Sequence, residues 1–391
     1  MDVVIRYLTG VTAAALLTAC GSNEPEPEST LFDADGDVVS LGVTADADRV
    51  HVVWVERNSD DGVGAFHAIS DDGGLEWTEP VAIDTDQPPP DRVHRSNDLR
   101  IAADGDRLLV VWQTVGDGFA DSGPMVMARS DDGGAHWQPA ATPVADDDTD
   151  SHGFFALSRA PDSAFHLAWL DSRDGQQGVH HARSDDGGRS WSAVTTANSA
   201  TCQCCWNSLA HPGDETVLMY RGLDPRDMAV ASMGNGDDDW SASEPVGRFD
   251  WFVDACPHVG GGLATDDNGA LHALVWTGAE AHSGVHHLRR GSGGAWSEPE
   301  QLGRTAARAA DLVATTDGGL LAAWDHGSAD HGIGVAHYQD GAWSNPATLG
   351  GDARRPGFPL VTATDDTAQV FWTERREDGT RTWRATRLPP R

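Results

Sequence analysis

One octapeptide pattern, Ser-x-Asp-x-Gly-x-x-Trp, recurs along the chain and constrains its fold more than any other feature. The clear copies are Ser70, Asp72, Gly74 and Trp77; Ser130, Asp132, Gly134 and Trp137; and Ser184, Asp186, Gly188 and Trp191. Degenerate copies follow at "GNGDDDW", "GSGGAW", "YQDGAW" and "REDGTRTW". Recurrence at such a spacing indicates a repeat architecture, in which each copy marks one supersecondary unit.

A second aromatic series lies upstream of the octapeptides and shares their phase. Its members, 48 to 58 residues apart, are Trp54, Trp112, Trp169, Tyr220, Trp276, Trp324 and Trp372. Within each unit, short apolar runs parted by Asp/Gly turns indicate four antiparallel strands. The sequence therefore predicts an all-β chain folded as a seven-bladed β-propeller, with six blades as the alternative. The last unit ends soon after its third strand, so "STLFDADG", near residue 30, is predicted to supply the missing outer strand.

The octapeptide resembles the Asp-box, or BNR repeat, of the sialidase superfamily and of many other propellers. The resemblance implies a fold but no particular activity, because function lies in sites that differ among proteins of one fold. Each box is predicted to lock the turn between the third and fourth strands, with Asp and Ser side chains bonded to local backbone N–H groups. A ligand or calcium site is the alternative for the boxes.

The chain is strongly acidic, and all of its Lys+Arg residues are arginine. With 61 acidic and 27 basic residues, its formal net charge is −34. No basic stripe offsets the repulsion of phosphates, so nucleic acid is excluded as a partner. The charge is typical of a solvated surface, and a cationic partner is the alternative.

The N-terminal segment has the pattern of a targeting sequence. An apolar run follows Arg6 and ends in "LTAC" at Cys20, which resembles the lipobox of bacterial lipoproteins. The resemblance implies a signal peptide over 1–20 with lipidation of Cys20, a Pro/Glu linker over 21–30 and the propeller over 31–391. The protein is thus expected to be a monomer held by a lipid anchor in the bacterial cell envelope, in the periplasm or at the cell surface.

Blade topology predicts where a binding site lies. Loops before each first strand and after each second strand share one face, and the boxes lie on the other. Since guanidinium groups bind carboxylate, sulfate or phosphate bidentately, we expect an anionic glycan or an envelope protein to bind at this mouth. Pairing of the arginines with the many aspartates is the alternative. The candidate residues are Arg95, Asp98, Asp171, Arg173, Tyr220, Arg221, Arg226, Asp227, Arg308, Asp325, Arg354 and Arg355.

Sialidase activity is an alternative that the superfamily resemblance implies. Sialidases combine an arginine triad with a Tyr nucleophile, a Glu partner and an Asp acid/base. Here Tyr220 would be the nucleophile and Asp98 or Asp171 the acid. The triad would be Arg95 or Arg100, Arg221, and Arg354 or Arg355. The Arg-Ile-Pro signature is absent from this chain, and six other units carry a packing Trp where Tyr220 stands.

The cysteines of the body form the most unusual motif. Cys202, Cys204 and Cys205 enter one blade and Cys256 enters the next, close to His258, so we expect them to cluster. Three interpretations compete: disulfides, a copper or zinc site, and a redox dithiol. The stretches "CQCCWNSL", "LMYRGLDPRDM" and "DACPHVGGGLA" resemble a group of bacterial sialidase-like propellers, which supports a site here and implies no reaction.

Overall fold

The computed structural model describes residues 29–60, 62–116, 122–144, 151–173, 175–291, 293–327, 331–352 and 354–388. The predicted signal peptide with Cys20, and the linker as far as residue 28, lie outside these residues. The chain folds into seven antiparallel sheets, and a single 3-10 turn (Glu280–His282) is the one helical element of the described part. Both the all-β class and the seven blades are confirmed.

The strands follow the chain from blade to blade. Strand β1 spans Ser29–Leu31. Blade 1 contains β2 (Asp37–Asp46), β3 (Arg49–Arg57), β4 (Val63–Ser70) and β5 (Val81–Ala82). Blade 2 contains β6 (Arg100–Asp104), β7 (Arg107–Val115), β8 (Ser122–Ser130) and β9 (Gln138–Pro139). Blade 3 contains β10 (Gly153–Arg159), β11 (Phe165–Asp171), β12 (Gly178–Ser184) and β13 (Thr195–Asn198).

The remaining blades repeat the same order. Blade 4 contains β14 (Ser208–Ala210), β15 (Glu215–Arg221), β16 (Met228–Gly234) and β17 (Glu244–Pro245). Blade 5 contains β18 (Gly261–Thr265), β19 (Leu271–Thr277), β20 (Gly284–Arg290) and β21 (Glu300–Leu302). Blade 6 contains β22 (Ala310–Ala314), β23 (Leu320–Asp325), β24 (Ile333–Gln339), β25 (Ala342–Trp343) and β26 (Ala347–Leu349). Blade 7 contains β27 (Gly357–Ala363), β28 (Ala368–Arg375) and β29 (Arg381–Leu388).

The ring is closed by the N-terminal strand. Strand β1 pairs antiparallel with β29, with Thr30 opposite Ala385, and so becomes the outer strand of blade 7. Phe32, just after β1, stacks on Trp383 of blade 7 at 4.7 Å and meets Trp54 of blade 1 at the same distance. The innermost strands contact one another in sequence around the ring, and β27 returns to β2. The predicted closure is therefore confirmed.

The second strand of each blade forms the core between neighbouring blades. Trp54, Trp169, Trp324 and Trp372 are fully buried on these strands, within separate apolar clusters. Because β-strand side chains alternate between two faces, the aromatic of each of these strands packs against one neighbouring sheet, that of the preceding blade. This explains the regular aromatic series in the sequence.

In blades 1 to 6 the boxes lie at the turn from the third to the fourth strand, as predicted. The prediction is wrong for the seventh copy, "REDGTRTW", which spans the turn between β28 and β29, the second and third strands of blade 7, because β1 supplies the fourth strand from the other end of the chain. In blade 3, Ser184 Oγ donates to Asp186 at 3.0 Å and accepts the Gly188 N–H at 2.9 Å. Gly134 adopts a left-handed φ of +94°, and a Cβ there would lie 2.2 Å from the His67 ring of the preceding blade. Only glycine meets both conditions, so the box joins blades as well as closing a turn.

The tryptophans of the three clear boxes pack on the preceding blade. The Trp77 ring lies 5.5 Å from Trp383 and 6.0 Å from Phe371 in blade 7. Trp191 donates its indole N–H to the Ala141 carbonyl, which belongs to blade 2, at 2.8 Å. The repeated motif thus stabilises the interfaces of the ring.

Blades 1, 3 and 5 each bury a pair of histidines between their second and third strands. Ring nitrogens lie 2.9 to 3.0 Å apart in the pairs His51–His67, His166–His181 and His272–His287. In each pair one ring must donate and the other accept, so the two rings cannot both be protonated in the folded protein. Burial is the main cause that lowers the pKa of these imidazoles, to about 3 for His51 and about 4 for His67.

Candidate functional site

A cavity of about 870 Å³ opens at the end of the channel, on the face opposite the boxes of blades 1 to 6. Its walls come from the segments before first strands of four blades and from the turns after β23 and β28. The lining side chains that carry charge or can form hydrogen bonds are Arg95, Ser96, His258, Arg308, Asp325, His331, Arg355, Thr373, Arg375 and Arg381. The predicted candidates Arg95, Arg308, Asp325 and Arg355 therefore meet at one mouth.

Arg95 lies at the floor of the mouth and is 5% exposed. Its Nε lies 3.2 Å from Asp98, its Nη2 donates to the Phe358 carbonyl at 2.8 Å, and its guanidinium lies 5.5 Å from the Phe358 ring centre. Asp98 in turn accepts the Ser40 hydroxyl and the Leu41 N–H, which ties blade 1 to blade 2. Burial lowers the pKa of Arg95 from its usual value, but it remains cationic.

The other four arginines of the mouth differ in how they are held. Arg381 forms a two-pronged ion pair with Asp37, at 3.1 and 3.2 Å. Arg308 donates to the Pro257 carbonyl, and Arg375 donates to the Gly379 carbonyl. Arg355 is exposed and, within the described residues, has no hydrogen-bond or ion-pair partner.

Among the described residues, three of these guanidinium groups therefore have no carboxylate partner. Within the part of the chain that the structure describes, no carboxylate oxygen lies within 4.0 Å of the guanidinium of Arg308, Arg355 or Arg375. Asp325 is the single acid of the described cavity lining. Burial raises its pKa, while backbone N–H donors, including that of Arg308 at 3.2 Å, act in the opposite direction. The mouth carries excess positive charge in an acidic protein.

Asp171 and Arg173, also predicted at the mouth, lie outside this cavity. Asp171 is buried at the end of β11 and accepts the Trp169 indole N–H at 2.7 Å and the Arg173 Nε at 2.9 Å. His180 lies 2.9 Å from the same carboxylate. Despite burial, the Arg173 and His180 donors hold the pKa of Asp171 well below its usual range. Its carboxylate is thus engaged within blade 3.

Arg221 is buried between blades 4 and 5 and lies away from the cavity. It donates to the carbonyls of Val259, Arg226 and Trp276 at 3.0, 2.6 and 2.9 Å. Its guanidinium lies 5.5 and 5.8 Å from the ring centres of Trp251 and Trp276. This side chain holds two loops together.

The other candidates of blade 4 also have internal partners. The Tyr220 hydroxyl, on a side chain 1% exposed, lies 2.6 Å from Ser243 and 3.1 Å from Asn198. Asp227 accepts the backbone N–H groups of 249 to 251, and Arg226 Nε donates to the Val253 carbonyl at 3.4 Å.

Two further arginines weighed in the sequence are placed differently. Arg354 is exposed beyond the rim and pairs with Glu377 at 3.0 Å. Arg100 lies in the channel below the mouth, where its Nε donates to the Phe155 carbonyl at 3.1 Å.

The predicted cysteine cluster forms beside the mouth. Sγ of Cys202 lies 3.7 Å from that of Cys204 and 3.4 Å from that of Cys205. No two described cysteines lie at the ~2.05 Å of a disulfide. Cys204 also groups with Cys256 and His258, whose donor atoms all lie within 4.8 Å of one another. Hydrogen bonds from the thiols of Cys204 and Cys205 hold the pKa of Cys202 below its usual range.

Sequence reasoning did not place Arg381, Phe358 and Thr373 at the mouth. Arg381 starts the third strand of blade 7, and a strand that begins at the mouth face can present its first residue there. The position of Arg381 at the start of that strand could therefore have predicted that it lines the mouth. Phe358 has a left-handed φ of +54°, which no feature of the sequence indicates.

The closed ring of antiparallel sheets and its arginine-lined mouth define a sialidase-like β-propeller. The model of the BNR repeat-like domain matches residues 52–251, which is half of the chain. The chain belongs to this family. A comparison with curated protein sequences finds no match.

Solved structures share the fold at low sequence identity. A protein of unknown function from Dyadobacter fermentans is 13% identical, with a TM-score of 0.58, covering 93% of this chain and 98% of that one. A PL25 ulvan lyase bound to -[GlcA(1-4)Rha3S]- is 10% identical, with a TM-score of 0.57 and coverages of 91% and 95%. Trypanosoma rangeli sialidase is 11% identical, with a TM-score of 0.54; 92% of this chain matches 57% of that one. These similarities establish the fold alone.

In the described residues, no helix has the length and apolar character needed to span a bilayer.

Proposed function

We propose that the protein binds an anionic glycan at the arginine-lined mouth of the propeller and that a lipid anchor holds it in the bacterial cell envelope. One observation carries the binding proposal: Arg308, Arg355 and Arg375 surround a cavity of about 870 Å³, and none has a carboxylate partner among the described residues. In a chain with 61 acidic residues, such a set of cations without a carboxylate partner is unexpected unless an anion binds there.

The chemistry of the mouth suits carboxylate or sulfate groups on a sugar. Guanidinium forks bind planar carboxylates and sulfate oxygens through paired hydrogen bonds, and Asp325 adds a group that can accept or, when protonated, donate. The Phe358 ring offers an apolar surface beside them. Because the surrounding protein is acidic, only a site that concentrates positive charge can bind a polyanion without strong repulsion.

Three of the nine described non-glycine residues with a left-handed φ line the same mouth. His258, Arg355 and Phe358 adopt φ values of +54°, +49° and +54°, and all three line the cavity. A non-glycine residue in this region costs about 1–3 kcal/mol, and such residues cluster at ligand-binding sites. The strain supports a site whose side chains are positioned for a ligand.

The names of two structurally similar proteins are consistent with an anionic glycan as the ligand. One PL25 lyase structure contains -[GlcA(1-4)Rha3S]-, and another relative is a sialidase. For sialidase activity, the mouth of this chain has no tyrosine among its described residues, because Tyr220 is buried in blade 4 and Tyr338 packs against His272 and His287. We therefore favour binding over glycoside hydrolysis.

A binding experiment with adjacent arginines tests the glycan proposal. Calorimetric titration at low ionic strength, with a polysaccharide carrying glucuronate and sulfate and with neutral dextran as comparison, is expected to show binding of the first alone. Arg355→Gln is expected to weaken binding about tenfold, because a charge-assisted hydrogen bond contributes ~1.5 kcal/mol or more. Arg354→Gln is the control: Arg354 lies outside the cavity and is paired with Glu377, so the affinity should change less than twofold.

Two outcomes would contradict this proposal. Equal binding of dextran and the anionic polymer would show that charge is not recognised, and equal effects of the two variants would place the ligand elsewhere. Release of the aryl group from an aryl sialoside would instead support the sialidase alternative. Retention of an envelope protein with no affinity for anionic glycans would support a protein partner.

Lipid anchoring rests on the lipobox-like end of the N-terminal segment and has its own test. Cells expressing the full chain with an alkyne-tagged fatty acid are expected to label the wild type and the Cys256→Ser control equally. Cys20→Ser should lose the label and leave the membrane fraction, because a thioether-linked lipid needs that sulfur. Labelling of Cys20→Ser at the wild-type level would refute the anchor.

A further inference from the structure

We propose that Cys202, Cys204, Cys205, Cys256 and His258 form a binding site for a thiophilic d10 metal ion, Cu(I) or Zn(II), in the wall of the mouth between blades 4 and 5. The site is independent of the proposed glycan binding. The loop before β14 contributes three thiols, and the loop before β18 contributes the fourth thiol and the imidazole.

The spacing of the sulfur atoms fits one ion. Cys202 Sγ lies 3.4 and 3.7 Å from the sulfurs of Cys205 and Cys204. Thiolates bound to one ion at ~2.3 Å lie roughly 3.7–4.0 Å apart in tetrahedral or trigonal geometry. The two distances from Cys202 therefore lie within a few tenths of an ångström of those expected around one ion, and the sulfurs of Cys204 and Cys205 lie within 4.8 Å of each other.

The second group of donors extends the site toward solvent. Cys204 shares its sulfur between the inner group and the outer group of Cys256 and His258. The inner sulfurs are buried, whereas Cys256 and His258 are exposed, and His258 lines the mouth. A route for the ion thus leads from the mouth through the outer donors to the buried thiolates, and a closed metal site requires such a route.

Packing does not account for this arrangement. The three inner cysteines form a cluster of their own, with Phe154 as the one apolar neighbour packed against it. Aliphatic side chains fill the other blade clusters, for example around Val217 and Val275. The loops are also held rigidly: the Cys202 N–H donates to the Arg221 carbonyl at 3.0 Å, and Arg221 binds the Val259 carbonyl beside His258.

The sulfur donors favour soft metal ions. The number of donors in the inner and outer groups distinguishes between Cu(I) and Zn(II). Thiolates favour Cu(I) and Zn(II) over magnesium, calcium and manganese, which prefer oxygen. Cu(I) is satisfied by the three inner thiolates. Zn(II) requires four ligands and would recruit Cys256 or His258 from the outer group.

Metal retention by the reduced protein tests the site. Protein purified anaerobically with reductant is loaded with Zn(II), or with Cu(I), washed with a weak chelator and measured by elemental analysis. The wild type is expected to retain about one ion per chain, with sulfur ligands in X-ray absorption spectra. Cys204→Ser, which removes the shared donor, should retain less than a tenth as much, and His331→Gln, another mouth residue outside both groups, should retain the wild-type amount.

The Cys256→Ser variant distinguishes between Zn(II) and Cu(I) as the bound ion, because it leaves the buried thiols unchanged. Loss of Zn(II) retention in this variant indicates four-coordinate zinc, and full Cu(I) retention indicates the inner triad; both results support the site. The proposal is overturned if the reduced wild type retains neither ion, if its spectra show no sulfur ligand, or if Cys204→Ser retains as much metal as the wild type. If Cys204→Ser fails to fold, the wild-type spectra decide. A denatured metal-free protein without titratable thiols would instead establish disulfides.

Discussion

Acidification is expected to unfold this propeller between about pH 5.5 and pH 4, with the loss of stability beginning above the pH at which its exposed carboxylates protonate. The cause is a set of buried imidazoles that must be neutral in the folded state. Burial is the main cause that lowers their pKa values, to between about 2 and about 4 where a value is resolved. The set comprises His51, His67, His166, His181, His211, His272 and His287.

The sign of the effect follows from where each state binds protons. In the unfolded chain these imidazoles titrate near 6.5, so below that pH the unfolded state binds more protons than the folded state. The contribution of these histidines to the free energy of unfolding is therefore fully present above about pH 6.5. It is lost as the pH falls toward their pKa values in the folded state. Each proton contributes about 1.4 kcal/mol per pH unit.

The destabilisation by histidine protonation is opposed by a reduction in charge repulsion, and their sizes decide which of the two dominates. Acidification also reduces the net charge from −34 and relieves repulsion among carboxylates, which by itself would stabilise the fold. If each of the three buried pairs accounts for only one proton, the histidines remove about 4 kcal/mol per pH unit. A typical domain has 5–15 kcal/mol in total, so two units below pH 6.5 remove a large part of it.

Urea titrations at several pH values and fixed ionic strength measure this prediction. The wild type should lose at least about 4 kcal/mol between pH 7.5 and pH 5. His51→Gln combined with His67→Gln should give a shallower slope, because glutamine donates and accepts without titrating near neutrality. His136→Gln is the control, since that side chain is 89% exposed, and its slope should match the wild type. A constant unfolding free energy down to pH 4.5 would refute the argument.

The repeated part of this fold was predictable, because repetition in sequence reports repetition in structure. The aromatic series and the boxes predicted seven blades, and the short last unit predicted closure by β1. The box is one local unit whose hydrogen bonds, such as Ser184 to Asp186, lie within a few residues. Interactions of this kind depend little on distant parts of the chain, so a single sequence contains enough information.

The mouth was harder to predict, because its contacts are not local. Arg354 and Arg355 are adjacent in sequence, yet one points to solvent and the other lines the cavity. Arg95 and Arg221 both stand where a mouth residue is expected, but Arg221 turns into the interface of blades 4 and 5. The choice depends on nearby carbonyl and aromatic groups from other blades, which sequence position does not reveal. The cysteines were predictable as a group, because two neighbouring blades bring both loops to one face.

Arg221→Met is expected to lower the free energy of unfolding by about 3–5 kcal/mol. The guanidinium donates to three carbonyls and faces two indole rings, and methionine can replace its volume but none of its N–H groups. Each carbonyl left without a donor costs ~1–3 kcal/mol, and part of this loss is offset because a buried charge is no longer desolvated. Arg221 has no carboxylate partner among the described residues, so the carbonyls set the size of the effect.

The same substitution should loosen the loops that hold the cysteine cluster, because Arg221 binds the carbonyls of Arg226 and Val259 on either side of Cys256. Hydrogen exchange of 249–259 is expected to accelerate at least tenfold relative to the wild type, while exchange in blade 1 should follow only the global loss of stability. Arg354→Met provides the matched control: its ion pair with Glu377 is exposed, so urea unfolding should change by less than ~1 kcal/mol. A loss below 1 kcal/mol in Arg221→Met, or uniform acceleration throughout the ring, would show that Arg221 does not join blades 4 and 5.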